Sequence, residues 1–138
     1  MLLGLGLDVV DTARFAELLA EPGTAFGARV FTPQERLTAA ARPSGTPAVH
    51  LAARYAAKEA TIKALSQALA PAPLPPGLGG PDDLVAIEVL NDAAGRPSLA
   101  LSGRMRALAE RVGVTHLHVS LSHDGGIAQA IVLAYHAP

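Results

Sequence analysis

Alternating apolar and polar residues mark strands near both ends of the chain, and an alanine-rich stretch without Gly or Pro marks a helix between them. Leu3, Leu5, Leu7 and Val9 fall on one face of an opening segment, and Gly4, Gly6 and Asp8 fall on the other. That period of two predicts a buried strand over Leu2 to Val10. The two glycines leave their face low, so something bulky can approach it. Asp8 stands at the strand's end, where a locally read carboxylate serves as an N-cap or turn residue. Near the other end, Leu117, Val119 and Leu121 alternate with His116, His118, Ser120 and Ser122 in a strand from Thr115 to His123, and His123 continues the apolar side. Asp124-Gly125 is a hairpin signal, and Ile127 to Tyr135 is a final apolar strand expected at the centre of its sheet. Val85 to Leu90 and Ser98 to Leu101 form another strand pair around the turn Asn91 to Pro97.

The helix that organises the chain spans about Ala48 to Leu69. Its stretch from His50 to Leu65 is rich in Ala and Leu. Ala52, Ala53, Ala56, Ala57, Ala60 and Ala64 make a smooth surface that another element can approach closely. Glu59 and Lys63 stand four apart and project from one side, and taken alone they read as an ordinary surface ion pair. Arg54 and Lys58 lie further round. A first helix is expected from about Ala13 to Ala20 behind a cap at Asp11 or Thr12, and a short helical turn over Phe26 to Val30. Thr32-Pro-Gln-Glu35 has the form of a capping box and starts a helix to about Ala41. Pro71 to Asp83, with five prolines and three glycines, reads as an irregular loop within one domain. A last helix runs from about Arg104 to Val112 and ends at Gly113.

Composition narrows the function. The chain has 138 residues, half of them hydrophobic, enough for one folded domain with a modest core. Its formal net charge of −1 provides no broad basic field for nucleic acid. Without cysteine there is no disulfide, thiolate metal site or Cys nucleophile. No apolar run is long enough for a membrane helix, and the first residues lack the basic start of a signal peptide, so a cytoplasmic protein is expected. Few aromatic residues and many small ones give a thin core, which an oligomer would supplement.

Several chemistries fit poorly. Ser122, His123 and Asp124 are consecutive, so neighbours point to opposite faces and cannot form a relay. His116 and His118 share a strand face but lack an evident third metal ligand. Gly4-x-Gly6 would need a third Gly where Val9 stands, and no phosphate-binding P-loop pattern exists. An acidic pair with basic surroundings remains. Asp8 and Glu59 could hold a hard cation such as Mg²⁺, which takes one or two carboxylates with phosphate oxygens. Lys63, Arg54, Lys58 and His123 could then meet phosphates. Spacing alone does not bring Asp8 to Glu59.

An ordered set of short motifs then adds a family resemblance. It comprises Gly6-Leu-Asp8 followed by Arg14, then Phe31-Thr-Pro-Gln-Glu35 and Arg54-Tyr-Ala-Ala-Lys58-Glu59-Ala-Thr-Ile-Lys63-Ala. Gly95-Arg-Pro97 and Ser120-Leu-Ser-His123 complete it. The set resembles the small bacterial 4'-phosphopantetheinyl transferases, the holo-(acyl-carrier-protein) synthases, from the first strand to the last. Tyr55 stands where that family often has Phe or Trp, and the proline-rich loop is longer than in some members. The resemblance implies a single α+β domain over residues 1–138, with a mostly antiparallel sheet packed on a long central helix and shorter helices. It implies a transferase that moves 4'-phosphopantetheine from coenzyme A to a serine of apo acyl carrier protein in fatty acid biosynthesis, releasing adenosine 3',5'-bisphosphate. Asp8 and Glu59 match the Mg²⁺ carboxylates, and Lys63 matches the lysine at the diphosphate. Arg54 and His123 match positions near the 3'-phosphate, Gly95 and Pro97 the turn near the adenine, and Arg14 the base that meets acidic carrier-protein residues. The family is typically a homotrimer with each active site between two subunits. For the base that takes the serine proton, Glu59 is the first candidate and Asp124 the second.

Overall fold

The structure, a computed structural model, describes residues 1–138. Strand β1 (Leu2–Asp11) leads into helices α1 (Thr12–Ala20), α2 (Phe26–Val30) and α3 (Pro33–Ala40), and then into the long α4 (Pro47–Leu69). After the proline-rich segment come α5 (Pro81–Val85), the hairpin β2 (Ile87–Asn91) and β3 (Pro97–Leu101), α6 (Gly103–Arg111), and the hairpin β4 (His116–Asp124) and β5 (Ile127–Tyr135). The strands form two antiparallel sheets, one ordered β1-β5-β4 and the other β2-β3. The α+β fold with a long helix is therefore as expected, and β5 is the central strand. Two predicted boundaries moved. The last residues of the expected loop, from Pro81, coil into α5, and the strand after them starts at Ile87 rather than Val85.

The sequence explains why α4 is the axis of the molecule. Thr46 caps it by accepting a hydrogen bond from the Val49 N–H, and Pro47 occupies the first turn, where its missing donor costs nothing. Most of its circumference is then buried, including Ala52, Ala56, Ala57, Ala60 and Ala64. Such small side chains let strands approach the helix backbone. A Cβ at Gly4 would run into the Ala64 carbonyl oxygen, and one at Gly6 into that of Ala60. The glycine face of β1 is therefore the buried one, and the bulky element it admits is α4.

The strand expected to be buried is buried on that face only. Leu5, Leu7 and Val9 are 45%, 55% and 54% exposed. Register pairs Leu5 with Leu133 and Leu7 with Ile131, both also exposed, so the outer side of the three-stranded sheet carries an apolar stripe. His116, His118, Ser120 and Ser122 border it on β4. His116 and His118 stack their rings on Tyr135, with centroids 5.4 and 5.0 Å away, and His118 also hydrogen-bonds the Tyr135 hydroxyl.

The helix α1 is fixed by its own cap and by aromatic packing. Asp11 accepts a hydrogen bond from the Arg14 N–H at 3.0 Å. Phe15 buries itself among Phe26, Phe31 and Tyr55, with ring centroids 5.8, 6.2 and 5.2 Å away. The predicted capping box is present: Thr32 accepts from the Glu35 N–H, and Glu35 accepts from the Thr32 N–H. No helix is long and apolar enough to cross a membrane.

Candidate active site

Two clefts lie on different sides of α4. The first, about 580 Å³, is lined by Asp8 and Asp11 from β1, Arg14, Phe15 and Leu18 from α1, and Tyr55 and Glu59 from α4. The acids that the sequence could not bring together thus share one cleft. They meet because β1 lies flat on α4 through Gly4 and Gly6, which carries Asp8 to the level of Glu59 and Lys63. Lys63 does not pair with Glu59 in the expected helical fashion. Its Nζ donates to Asp8 Oδ1 at 3.1 Å and to the Leu7 carbonyl at 2.9 Å, bridging helix and strand.

Glu59 faces a different neighbour. Burial raises its pKa and the charge of Asp8 adds to that, while a hydrogen bond from Tyr55 and the charge of Lys63 act against it. Tyr55 answers in kind: burial, the Glu59 charge and the hydrogen bond it donates to Glu59 push its phenol up to about 12. A carboxylate whose ionisation is opposed by burial and by a neighbouring carboxylate is what a hard cation relieves. The donor set, all oxygen, suits Mg²⁺ and not a soft metal.

The second cleft, about 380 Å³, is lined by residues of four segments. Arg42, Pro43 and Ser44 come from the α3–α4 loop, and His50, Ala53 and Arg54 from α4. Asn91, Gly95 and Pro97 come from the β2–β3 hairpin, and residues 119 to 123 from β4. Arg54 is only 2% exposed. Its two terminal nitrogens donate to the His50 carbonyl at 3.1 Å and to Asn91 Oδ1 at 2.8 Å. Asn91 in turn donates to the Gly95 carbonyl at 3.1 Å, which ties the guanidinium to the turn. The Nε atoms of Arg42 and Arg54 are buried without a partner. Burial, then the charge of Arg42, lower the Arg54 pKa, while Glu35 opposes them. Two guanidinium groups with unsatisfied donors thus line one cleft, which favours an anion there.

The predicted residues divide between these clefts. Asp8, Glu59 and Arg14 line the first, with Lys63 bound to Asp8 at its edge; Arg54, Gly95, Pro97 and His123 line the second. One cleft holding them all is therefore not formed within a single chain. His123 is exposed at the pocket rim rather than turned into the core, its ring 5.5 Å from that of His50. Asp124 lines neither cleft and sits at the end of β4 opposite Ile127. Lys58 does not reach for phosphate: its side chain is fully buried, with Nζ 2.8 Å from Glu35 Oε1 and donating to the Leu84 and Ile87 carbonyls.

Sequence reasoning missed Arg42, His50 and Asn91. Arg42 opens a Pro-Ser-Gly-Thr-Pro loop whose composition signals only irregularity, and His50 reads only as the start of the alanine-rich stretch of the long helix. Asn91 was legible only as part of a turn.

A small α+β domain with an acidic cleft beside a lysine and a separate guanidinium pocket defines a phosphate-handling protein. The chain belongs to the 4'-phosphopantetheinyl transferase superfamily, whose family model matches residues 4–134. It is 43% identical over 137 residues to a holo-(acyl-carrier-protein) synthase of Anaeromyxobacter dehalogenans, covering 96% of this chain and 95% of that one. Among solved structures, the coenzyme A complex of the Chronobacterium ammoniagenes enzyme superposes with a TM-score of 0.83 at 42% identity, covering 97% of each chain. The acyl carrier protein synthase of Mycobacterium tuberculosis gives a TM-score of 0.72 at 36% identity, covering 99% of this chain and all of that one.

Proposed function

We propose that this protein transfers 4'-phosphopantetheine from coenzyme A to a serine hydroxyl of apo acyl carrier protein and releases adenosine 3',5'-bisphosphate. The observation that carries this reading is the convergence of Asp8, Glu59 and Lys63 on one cleft, in a chain whose relatives at this similarity are holo-(acyl-carrier-protein) synthases. The carrier protein in this reading is that of fatty acid biosynthesis, and the compartment is the cytoplasm.

The reaction breaks the phosphoanhydride of coenzyme A. The serine oxygen bonds to the phosphorus bearing pantetheine, and the bond to the bridging oxygen of the adenosine bisphosphate breaks. Charge builds on the departing phosphate, so the protein must supply positive charge there and hold the attacking oxygen in line. Lys63 supplies one such charge. Asp8 and Glu59 would hold Mg²⁺, which when bound neutralises diphosphate oxygens. The serine proton passes to a base. Glu59 is the candidate, because its carboxylate lines the cleft that the serine must enter. Arg54 and His123, with Arg42, would take the 3'-phosphate, and Gly95 and Pro97 would border the adenine. Arg14, at the lip of the first cleft, would meet the acidic carrier protein.

The two clefts would act together across a subunit boundary, in a homotrimer whose subunits each lend one cleft to a shared active site. The apolar stripe of Leu5, Leu7, Ile131 and Leu133 supports that assembly, because exposed apolar patches of this kind mark protein interfaces. Mass spectrometry of apo acyl carrier protein incubated with coenzyme A, Mg²⁺ and the protein tests the reaction. The expected result is the mass of one phosphopantetheinyl group gained on the carrier protein. An unchanged carrier-protein mass overturns the reading.

A further inference from the structure

The arrangement of His50 goes further than lining the second cleft. The residue touches Ser44, His123 and Arg54, all of which line the cleft. Its Nε2 lies 2.5 Å from the Ser44 carbonyl oxygen. Because a carbonyl only accepts, Nε2 carries the hydrogen and donates. Its ring stands edge to face with His123, with centroids 5.5 Å apart and an interplanar angle of 86°. Its own carbonyl accepts from Arg54 at 3.1 Å.

The loop that His50 grips is the one that carries Arg42. Gly45 adopts φ +72°, a conformation that side chains other than glycine rarely tolerate. A Cβ there would come within 3.4 Å of the His50 Nε2, so the loop folds down onto the imidazole. Arg42 then reaches the β2–β3 turn, its Nη1 3.6 Å from where a Gly95 Cβ would stand. The loop has no backbone hydrogen bond to the β2–β3 turn or to β4, and its contact with His50 is the polar tie at its tip.

We propose that His50 is a positioning residue for phosphomonoester recognition: by holding the Ser44 carbonyl and the His123 ring, it presents Arg42 and His123 to the 3'-phosphate of coenzyme A. The proposal rests on the reading of this cleft as the 3'-phosphate site. His50 itself need not touch the phosphate, since its donor is committed to Ser44.

The test compares coenzyme A with 3'-dephospho-coenzyme A as substrates. His50→Phe keeps a ring against His123 and removes the donor to Ser44. It is expected to raise KM for coenzyme A about tenfold, the value of one well-placed charge-assisted contact. KM for the dephospho substrate and kcat for both should stay near wild type. His50→Gln, which can still donate to the Ser44 carbonyl, should restore most of the loss. Arg42→Ala should reproduce the loss, and the double variant should be no worse than either single one, because both remove one coupled interaction. Additive losses in the double variant, or a coenzyme A to dephospho-coenzyme A ratio unchanged in His50→Phe, overturn the proposal. If His50→Phe does not fold, His50→Asn, too short to reach Ser44, takes its place with the same expected ratio. Wild-type protein that uses both substrates equally would instead overturn the cleft assignment, and the proposal with it, while leaving phosphopantetheinyl transfer intact.

Discussion

Lys58 and Glu35 form an ion pair sealed from solvent, with Nζ 2.8 Å from Oε1 and no exposed surface on either side chain. The pair joins α4 to α3. Lys58 spends its other hydrogens on the carbonyls of Leu84 and Ile87, and Glu35 uses its second oxygen for the Val89 N–H at 3.0 Å. One lysine thus gathers α3, α5 and β2 around the helix that carries Glu59. All three ammonium hydrogens and both carboxylate oxygens have partners, which is the condition under which buried charge is tolerated. Lys58→Met strands the Glu35 carboxylate and two carbonyls, so a loss of about 3–5 kcal/mol is expected in urea unfolding. Lys58→Met combined with Glu35→Leu should recover part of it, since no isolated charge is then left inside. A single variant as stable as wild type would contradict this account.

That pair also shows what the chain conceals. The capping box at Thr32 and Glu35 is legible from four consecutive residues, and so is the helix around Lys58. What is not legible is that the same Glu35 serves a cap and a buried lysine at once, because the second contact spans distant segments. The two glycines of β1 announced a close approach, but alternation alone could not say which face was inside. Leucines on a strand read as core, and here they lie outside because the glycine face alone can fit against the α4 backbone. Asp8 and Glu59 stand out as an acidic pair from their chemistry and from the family motifs, but the physical reason for their meeting, Gly6 against Ala60, is a contact no local pattern encodes. The split of the predicted residues between two clefts follows from the angle between Arg54 and Glu59 around the helix, which the sequence does contain.

Glu59 provides a pH test with a definite sign. Its pKa is raised in the folded protein, first by burial and then by Asp8. Between the unfolded and folded values the folded state holds more protons, so stability is greatest below the unfolded value and falls as pH rises through the folded one. Glu59→Gln removes that dependence. In metal-free buffer the variant should melt above wild type at neutral pH, and the difference should shrink as pH drops through the carboxylate range. Activity should move the other way, with kcat falling about 10²- to 10⁴-fold if Glu59 is the base. Added Mg²⁺ should raise the melting temperature of wild type and not that of the variant. Identical pH profiles for the two proteins would remove burial as the source of the shift.

Arg14 tests the carrier-protein side of the first cleft. It stands on α1, held by the Asp11 cap, and lines the cleft without an ion-pair partner of its own. Arg14→Glu should raise KM for acyl carrier protein about tenfold or more at low ionic strength, and added salt should shrink the difference from wild type, because it screens both the lost attraction and the new repulsion. Binding of coenzyme A, followed by calorimetry, should stay within about twofold of wild type, because Arg14 is not among the groups assigned to the diphosphate or the 3'-phosphate. Equal losses for both ligands would place Arg14 in the coenzyme A site instead.

The outer sheet face decides whether two clefts can become one site. Leu7 and Ile131 are register partners on β1 and β5, both exposed, in the middle of the apolar stripe. Their side chains point away from α4, so a charge at either position leaves the core of the chain untouched. Leu7→Glu with Ile131→Glu should therefore fold, with far-ultraviolet circular dichroism like that of wild type, yet sediment as a monomer. If the acidic cleft of one copy serves the guanidinium cleft of another, this monomer should lose transfer activity by at least about 10²-fold, the effect of losing charge stabilisation at the reacting phosphate. Mixing two inactive proteins supplies the decisive complement. Glu59→Gln damages only the first cleft and Arg54→Ala only the second, so hybrid assemblies should contain some intact composite sites and regain part of the activity. A doubly charged monomer with full activity, or no recovery on mixing, would mean that each chain works alone.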